Sequence, residues 1–151
     1  MKFNKKQILD IQKNRDPFLM VDEIIDVIPG KSIVAKKYLN YDTWFFKVHW
    51  PGDPNMPGVL QLESMTQACA LILQTKQEYQ KKIIYVSNID KAVFKNKVTP
   101  EDDLEIKAKI ITFKRGVAKC EAETFFKSKL ASKAQINIIV PELLKLFTNK
   151  I

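Results

Sequence analysis

The candidate chemistry of this chain rests on one histidine and one carboxylate. His49 is the only histidine among 151 residues, and it occurs in the segment VHWPGDPNMPG. The two Pro-Gly steps of this segment predict a stiff, tightly turned loop. Because imidazole titrates near neutral pH, a histidine fixed in such a loop can serve as a general base. The competing interpretation is a histidine that only satisfies hydrogen bonds in a loop or in the core.

Glu63 is the second unusual residue, because it is the only charged side chain in the apolar segment 54–75. If this segment is helical, one face carries a polar stripe of Glu63, Gln67, Ala70 and Gln74. A buried carboxylate without a partner tends to have a raised pKa, and a carboxylic acid kept protonated can act as a general acid. The alternative, which the sequence leaves equally open, is a Glu63 paired with a lysine or stabilised by the start of the helix.

Gly58 offers a third element of the candidate site. It stands where the apolar helix begins, and the first N–H groups of a helix have no intrahelical acceptor. Such groups can bind a developing oxyanion, and a residue without a side chain allows a substrate carbonyl to come close. A plain tight turn is the alternative role for this glycine.

Periodicity predicts the elements that must position these residues. A helix over 57–77 is apolar around nearly its whole circumference, which is typical of a buried helix. A short helix over 4–12 precedes a hairpin that turns at Pro29-Gly30, and residues 40–56 are expected to form a loop. Strands are expected at 18–28, 31–39, 83–94, 104–110, 117–126 and 130–140, with a turn at 114–116. The tail after Pro141 carries no clear prediction. These elements predict an α+β fold in which an antiparallel sheet wraps one long helix.

Composition restricts the class of protein. The length and 46% hydrophobic content predict one domain over 1–151, and the N-terminus lacks the apolar run of a signal peptide. No apolar stretch is long enough for a membrane span. Cys69 and Cys120 lack metal-site spacing and are expected to be small buried thiols of a cytoplasmic protein. The net charge of +8 favours an acidic partner, but no nucleic-acid-binding motif accompanies it.

The sequence around the histidine resembles the FabZ family of 3-hydroxyacyl-[acyl-carrier-protein] dehydratases. HWPGDPNMPGVLQLESMTQA follows the family pattern HFPGxPxMPGVLxxEAMAQ without a gap. RDPFLMVD at 15–22, the Phe45-Phe46 pair, NIDKAVFKNKVTPEDDL at 88–104 and KRG at 114–116 extend the resemblance over most of the chain.

The resemblance implies a hot-dog fold and a role for each candidate residue. His49 would remove a C2 proton, Glu63 would help the C3 hydroxyl leave as water, and the N–H of Gly58 would polarise the thioester carbonyl. Gln67 matches a family glutamine that we expect behind the catalytic pair. The product would be a trans-2-enoyl thioester, and neither a metal nor a redox cofactor would be needed.

The resemblance also implies partners. Such dehydratases are homodimers that receive His and Glu from opposite subunits, and the dimers often assemble as trimers of dimers. The substrate would arrive on the phosphopantetheine arm of an acidic acyl carrier protein, for which we expect Lys91, Lys95 and Lys97 to form the docking surface. Neither nucleic acid nor membrane insertion is expected.

Several positions depart from the family pattern. Val48 replaces a glycine, Asp53 replaces a histidine, Ser64 replaces an alanine, and Asn14 and Asp16 replace His and Tyr. None of these changes removes a catalytic group, but they fit either fatty-acid synthesis or the same chemistry in a specialised acyl pathway. A hot-dog thioesterase and an inactive acyl-binding module are the remaining alternatives. A thioesterase does not need His49, and an inactive binding module would not need His49, Gly58 and Glu63 together. The presence of these residues therefore argues against both alternatives.

Overall fold

The computed structural model describes residues 1–148, in which one long helix lies against a six-stranded antiparallel sheet. The helices are α1 (Lys5–Ile11), α2 (Trp44–Val48), α3 (Gly58–Gln74) and α4 (Pro141–Thr148), with a short 3-10 turn at Gln77–Tyr79. The strands are β1 (Glu23–Ile28), β2 (Ser32–Lys37), β3 (Tyr85–Phe94), β4 (Leu104–Lys114), β5 (Val117–Phe126) and β6 (Lys129–Ile139). The α+β architecture expected from the sequence is confirmed.

Helix α3 is the centre of the core, as its apolar circumference predicted. It packs against β2, β4, β5 and β6, and Met65, Leu71 and Ile72 are completely buried. Burying each such side chain contributes about 1.5–3 kcal/mol before entropy is counted. Cys69 and Cys120 are free, buried thiols, also as expected.

The strand order of the sheet is β1-β2-β4-β5-β6-β3. Strands β1 and β2, β4 and β5, and β5 and β6 form hairpins, and Arg115 and Gly116, with φ of 52° and 81°, are the two left-handed residues of the predicted 114–116 turn. Strand β3 joins the far edge by pairing with β6. Nearly every residue of β3 is exposed, including Tyr85, Val86 and Ile89, so its outer edge has no described neighbour.

The predicted strand over 18–28 is wrong in its first half. Strand β1 starts only at Glu23, while Leu19, Met20 and Val21 are completely buried without strand pairing. A buried ion pair secures the end of this segment, with Lys37 Nζ 3.0 Å from an Asp22 carboxylate oxygen. The apolar run therefore indicates burial here and not strand formation.

One further prediction needs correction. Residues 40–56 are not entirely loop, because Trp44–Val48 forms helix α2, whose Phe45 and Phe46 are buried. The tail, which carried no prediction, begins with helix α4, and residues 149–151 lie outside the described part. Within residues 1–148 no helix is both long and apolar enough to cross a bilayer.

Candidate active site

His49 is held by the end of helix α2. Its backbone N–H donates to Phe45 O at 2.9 Å, and its Nδ1 lies 3.0 Å from Asn55 O. A carbonyl oxygen can only accept, so Nδ1 must carry the ring proton in this contact. The neutral tautomer therefore leaves the Nε2 lone pair available on a half-buried ring, which is the form that a general base requires.

The loop that follows His49 is held by hydrogen bonds within it and by contacts to the segment after β3. Asp53 N–H donates to Trp50 O at 2.9 Å, and Met56 N–H donates to Val98 O at 2.8 Å. Lys97 Nζ lies 3.0 Å from both carboxylate oxygens of Asp53. Asp53, which departs from the family pattern, thus ties the loop to the segment after β3.

Glu63 is half-buried and accepts a hydrogen bond from Gln67 Nε2 at 2.8 Å. No cation of residues 1–148 forms an ion pair with it, so the lysine-paired alternative is wrong within the described chain. The pKa of Glu63 is raised, chiefly because burial removes water from the carboxylate, while the Gln67 hydrogen bond acts in the opposite direction. Its environment therefore favours the acid form more than water does.

Gln67 cannot turn freely, because both ends of its amide are occupied. Its Nε2 also donates to Phe18 O at 2.8 Å, and its Oε1 accepts from Met20 N–H at 2.8 Å. Reversing the amide would place two donors face to face at Met20. Consequently Nε2 must face Glu63 Oε1, and the acid proton of Glu63 belongs on Oε2.

Replacement of Glu63 by glutamine should stabilise the protein at high pH. Because the folded-state pKa is raised above the unfolded value, Glu63 lowers stability once the pH exceeds the unfolded pKa. Below that value the protonated group carries no such penalty. We expect Glu63→Gln to raise the thermal midpoint at about pH 8, with a gain that shrinks as the pH falls toward about 4. Glu123→Gln, at an exposed position, is the control. A gain that is equal at both pH values would contradict this account.

Gly58 opens helix α3 at the bottom of a groove of about 420 Å³. A Cβ on this residue would lie 2.8 Å from Cε1 of Phe94, so the ring approaches only because residue 58 is glycine. Leu60 and Gln61 donate to Pro57 O, whereas helix geometry leaves the N–H groups of Gly58 and Val59 without an intrahelical acceptor. The groove is lined by Asn55, Met56, Gly58, Gln61, Phe94, Lys95, Asn96 and Lys97.

The structure joins some of the predicted site residues and separates others. Glu63 contacts Gln67, but within residues 1–148 no hydrogen bond or ion pair links His49 to Glu63. Of the three candidate docking lysines, Lys95 and Lys97 line the groove beside Gly58. Lys91 instead lines a larger cavity of about 550 Å³ formed by β3, β4, β5 and β6, which contains none of the candidate catalytic residues. The smaller groove contains Gly58 but neither His49 nor Glu63, and we take it as the part of the candidate site that would receive the thioester carbonyl.

Sequence reasoning missed two contributors. Asn55 supplies the carbonyl that orients His49, and Gln61 reaches the groove from the first turn of α3. A backbone carbonyl leaves no signal in a sequence, but Gln61 is a polar residue in an otherwise apolar helix and could have been noticed. Residues 1–148 contain no cluster of three or more His, Cys, Asp or Glu that could hold a metal ion.

Comparisons with known proteins identify the family of this chain. The 3-hydroxyacyl-[acyl-carrier-protein] dehydratase FabZ of Wolbachia sp. subsp. Drosophila simulans is 37% identical over 140 residues, covering 93% of this chain and 98% of that protein. The dehydratase of the same name from Lactobacillus helveticus is 35% identical over 136 residues, covering 90% and 92%. Among solved structures, the dehydratase heterocomplex ApeI:P from Xenorhabdus doucetiae superposes with a TM-score of 0.75 at 14% identity, covering 95% and 97%, which supports the fold alone.

Fold and sequence together define a hot-dog protein of the FabA-like class, whose domain family matches residues 13–135. With relatives this similar over nearly the whole chain, the protein belongs to the FabZ family of 3-hydroxyacyl-[acyl-carrier-protein] dehydratases, which are hydro-lyases of fatty-acid biosynthesis. The resemblance stated from the motif is thereby confirmed.

Proposed function

We propose that this chain removes water from 3-hydroxyacyl groups carried on acyl carrier protein, with His49 as base and Glu63 as acid. The assignment rests on one observation: the surroundings of His49 favour accepting a proton, and those of Glu63 favour holding one. The Asn55 carbonyl leaves His49 Nε2 free to take a proton, while burial keeps Glu63 toward the form that can give one.

Each group has one task in the elimination. His49 Nε2 takes a proton from C2, and the electron pair of that C–H bond forms the C2–C3 double bond. The Oε2 proton of Glu63 goes to the C3 hydroxyl, so the C3–O bond breaks and water leaves. The N–H of Gly58 donates to the thioester oxygen, which acidifies C2 by stabilising the charge that develops there. Proton exchange with solvent then returns His49 to its neutral form and Glu63 to its acid form.

The proposed site needs two subunits. In one chain no hydrogen bond or ion pair among residues 1–148 links His49 to Glu63, and strand β3 is exposed, with large apolar side chains among its polar ones. A second copy that pairs along β3 would cover Tyr85, Val86 and Ile89. The dimer would then bring His49 of one subunit to Glu63 of the other. Further assembly into a trimer of dimers is compatible with this arrangement.

Acyl carrier protein is the proposed partner, and Lys95 is the part of the predicted docking surface best placed to receive it. Lys95 lies at the groove, whereas Lys97 is already paired with Asp53 and Lys91 lies in the other cavity. Lys95→Glu should raise KM several-fold for a carrier-bound substrate and leave KM for a small thioester unchanged, because only the carrier has an acidic surface to repel. Equal effects on the two substrates would refute this docking role.

The proposed chemistry moves only protons, so side chains and one backbone N–H suffice without a metal or redox cofactor. The two buried free thiols fit a reducing compartment such as the cytoplasm.

The proposal is tested by following the absorbance of a crotonyl thioester of N-acetylcysteamine with the purified full-length chain. A dehydratase adds water reversibly, so the enoyl absorbance should fall to an equilibrium value without release of thiol. Release of free thiol would replace the proposal with a thioesterase. Neither change, with this thioester and with crotonyl carrier protein, would indicate an acyl-binding protein.

A further inference from the structure

Gln61 is a buried polar residue whose hydrogen bonding is incomplete. It lies in the first turns of α3 with 4% of its surface exposed, and its Oε1 has no partner within residues 1–148. Among residues 1–148 its side chain makes one hydrogen bond, a long one of 3.4 Å from Nε2 to Met56 O. A buried acceptor without a donor opposes folding, so an apolar residue of the same size would suit this position better for stability alone.

The position of Gln61 indicates what its free acceptor can bind. Gln61 lines the groove together with Gly58, whose N–H is the proposed donor to the thioester oxygen. The Phe94 ring lies against Gly58 and is 49% exposed, so it has room to move aside and uncover the groove floor. A ligand that places its carbonyl at Gly58 therefore brings the atoms next to its sulfur toward Gln61.

Two other glutamines show that an unpaired Oε1 is not by itself informative. Gln12 and Gln74 also have buried Oε1 atoms without partners among residues 1–148, but neither lines the groove. Each donates through its Nε2 at a normal distance, to Asn14 at 2.8 Å and to Lys82 O at 3.1 Å. Gln61 alone among the three combines a weakly held amide with a place at the candidate site.

We propose that Gln61 is a specificity residue whose Oε1 accepts a hydrogen bond from the amide N–H nearest the sulfur of a pantetheine-linked thioester. This assignment rests on the proposed dehydratase function. In a pantetheine thioester that amide is two carbons from the sulfur, so a carbonyl bound at Gly58 leaves the N–H within reach of the first turns of α3. Gln61 would thus select the carrier arm over other thioesters, while His49 and Glu63 act on the acyl group.

The test compares two crotonyl thioesters that differ in one group. The first is the thioester of N-acetylcysteamine, which has the N–H, and the second is that of O-acetyl-2-mercaptoethanol, in which an ester oxygen replaces it. We expect the wild type to prefer the amide substrate by about tenfold in kcat/KM, the value of one hydrogen bond. Gln61→Met should reduce this preference to about one by losing activity on the amide substrate alone, with an unchanged or higher thermal midpoint.

Gln12→Met is the matched control, because it removes an equally buried, unpaired Oε1 far along the chain from the groove; it should keep the wild-type preference. A wild type without preference, or a Gln61→Met protein that keeps it, would overturn the proposal. So would an equal loss on both substrates together with a lower thermal midpoint, which is the result of a structural role.

Failure of the dehydratase assignment would be recognised separately. If the wild type hydrates neither thioester, the Kd values of two unreactive thioethers decide the role of Gln61. These are the S-(2-oxopentyl) thioethers of N-acetylcysteamine and of O-acetyl-2-mercaptoethanol, which keep a carbonyl oxygen for the N–H of Gly58 but can be neither hydrated nor hydrolysed. Tighter binding of the amide, lost in Gln61→Met, would support the proposal, and equal Kd values in the wild type would refute it.

Discussion

A mixed dimer of His49→Ala and Glu63→Ala subunits is expected to regain about half of the wild-type activity, although each variant alone is nearly inactive. Loss of a general acid or base typically reduces the rate by about 10²–10⁴-fold. If each site takes His49 from one subunit and Glu63 from the other, the mixed dimer holds one complete site and one site that lacks both groups. Co-expression with two different affinity tags would give this dimer, and hydration of the crotonyl thioester would measure it.

The control for the mixed dimer places both substitutions in one subunit and none in the other. Shared sites predict that each site of this dimer then lacks one group, so its activity should stay at the level of the single variants. The reverse pattern, with an inactive first dimer and a half-active control, would show that both groups of a site come from the same chain.

Charges on the edge strand β3 should prevent the proposed dimer from forming and abolish activity. Val86 and Ile89 are 45% and 37% exposed on β3, whose outer edge has no described neighbour. In a dimer that pairs along β3, the double variant Val86→Lys/Ile89→Lys would bury two unpaired ammonium groups at a cost of several kcal/mol each. Sedimentation should therefore show a single chain of 17.5 kDa in place of a species of twice that mass.

The matched control for the edge variant is Ile111→Lys. Ile111 is an apolar residue, 46% exposed, on β4, a strand that does not pair with β3. It should keep both the dimer and the activity, and circular dichroism should show that both variants are folded. A double variant that remains dimeric and active would place the subunit interface elsewhere and remove the reason for sharing the site.

The sequence by itself determined the elements with strong local signals. The apolar circumference of 57–77 predicted α3 closely, because a helix buried on all sides is apolar on all sides. The apolar patterns of the later segments predicted β3 to β6 closely, because a strand buried on one face alternates apolar and polar residues. The same logic failed at 18–22, since burial against α3 produces an apolar pattern without strand pairing. It also failed at α2, a helix of five residues too short to show a period.

Only the tertiary structure decided how the candidate residues are held. The motif identified His49, Glu63 and Gly58, because each residue type limits the chemistry it can perform. The sequence did not show that Asn55 O orients His49 or that the backbone around Phe18 fixes Gln67, since backbone groups look alike in every sequence. The sequence also did not decide whether Glu63 is buried or paired with a cation, because both depend on segments that are distant in the chain. Those relations exist only once the chain has folded.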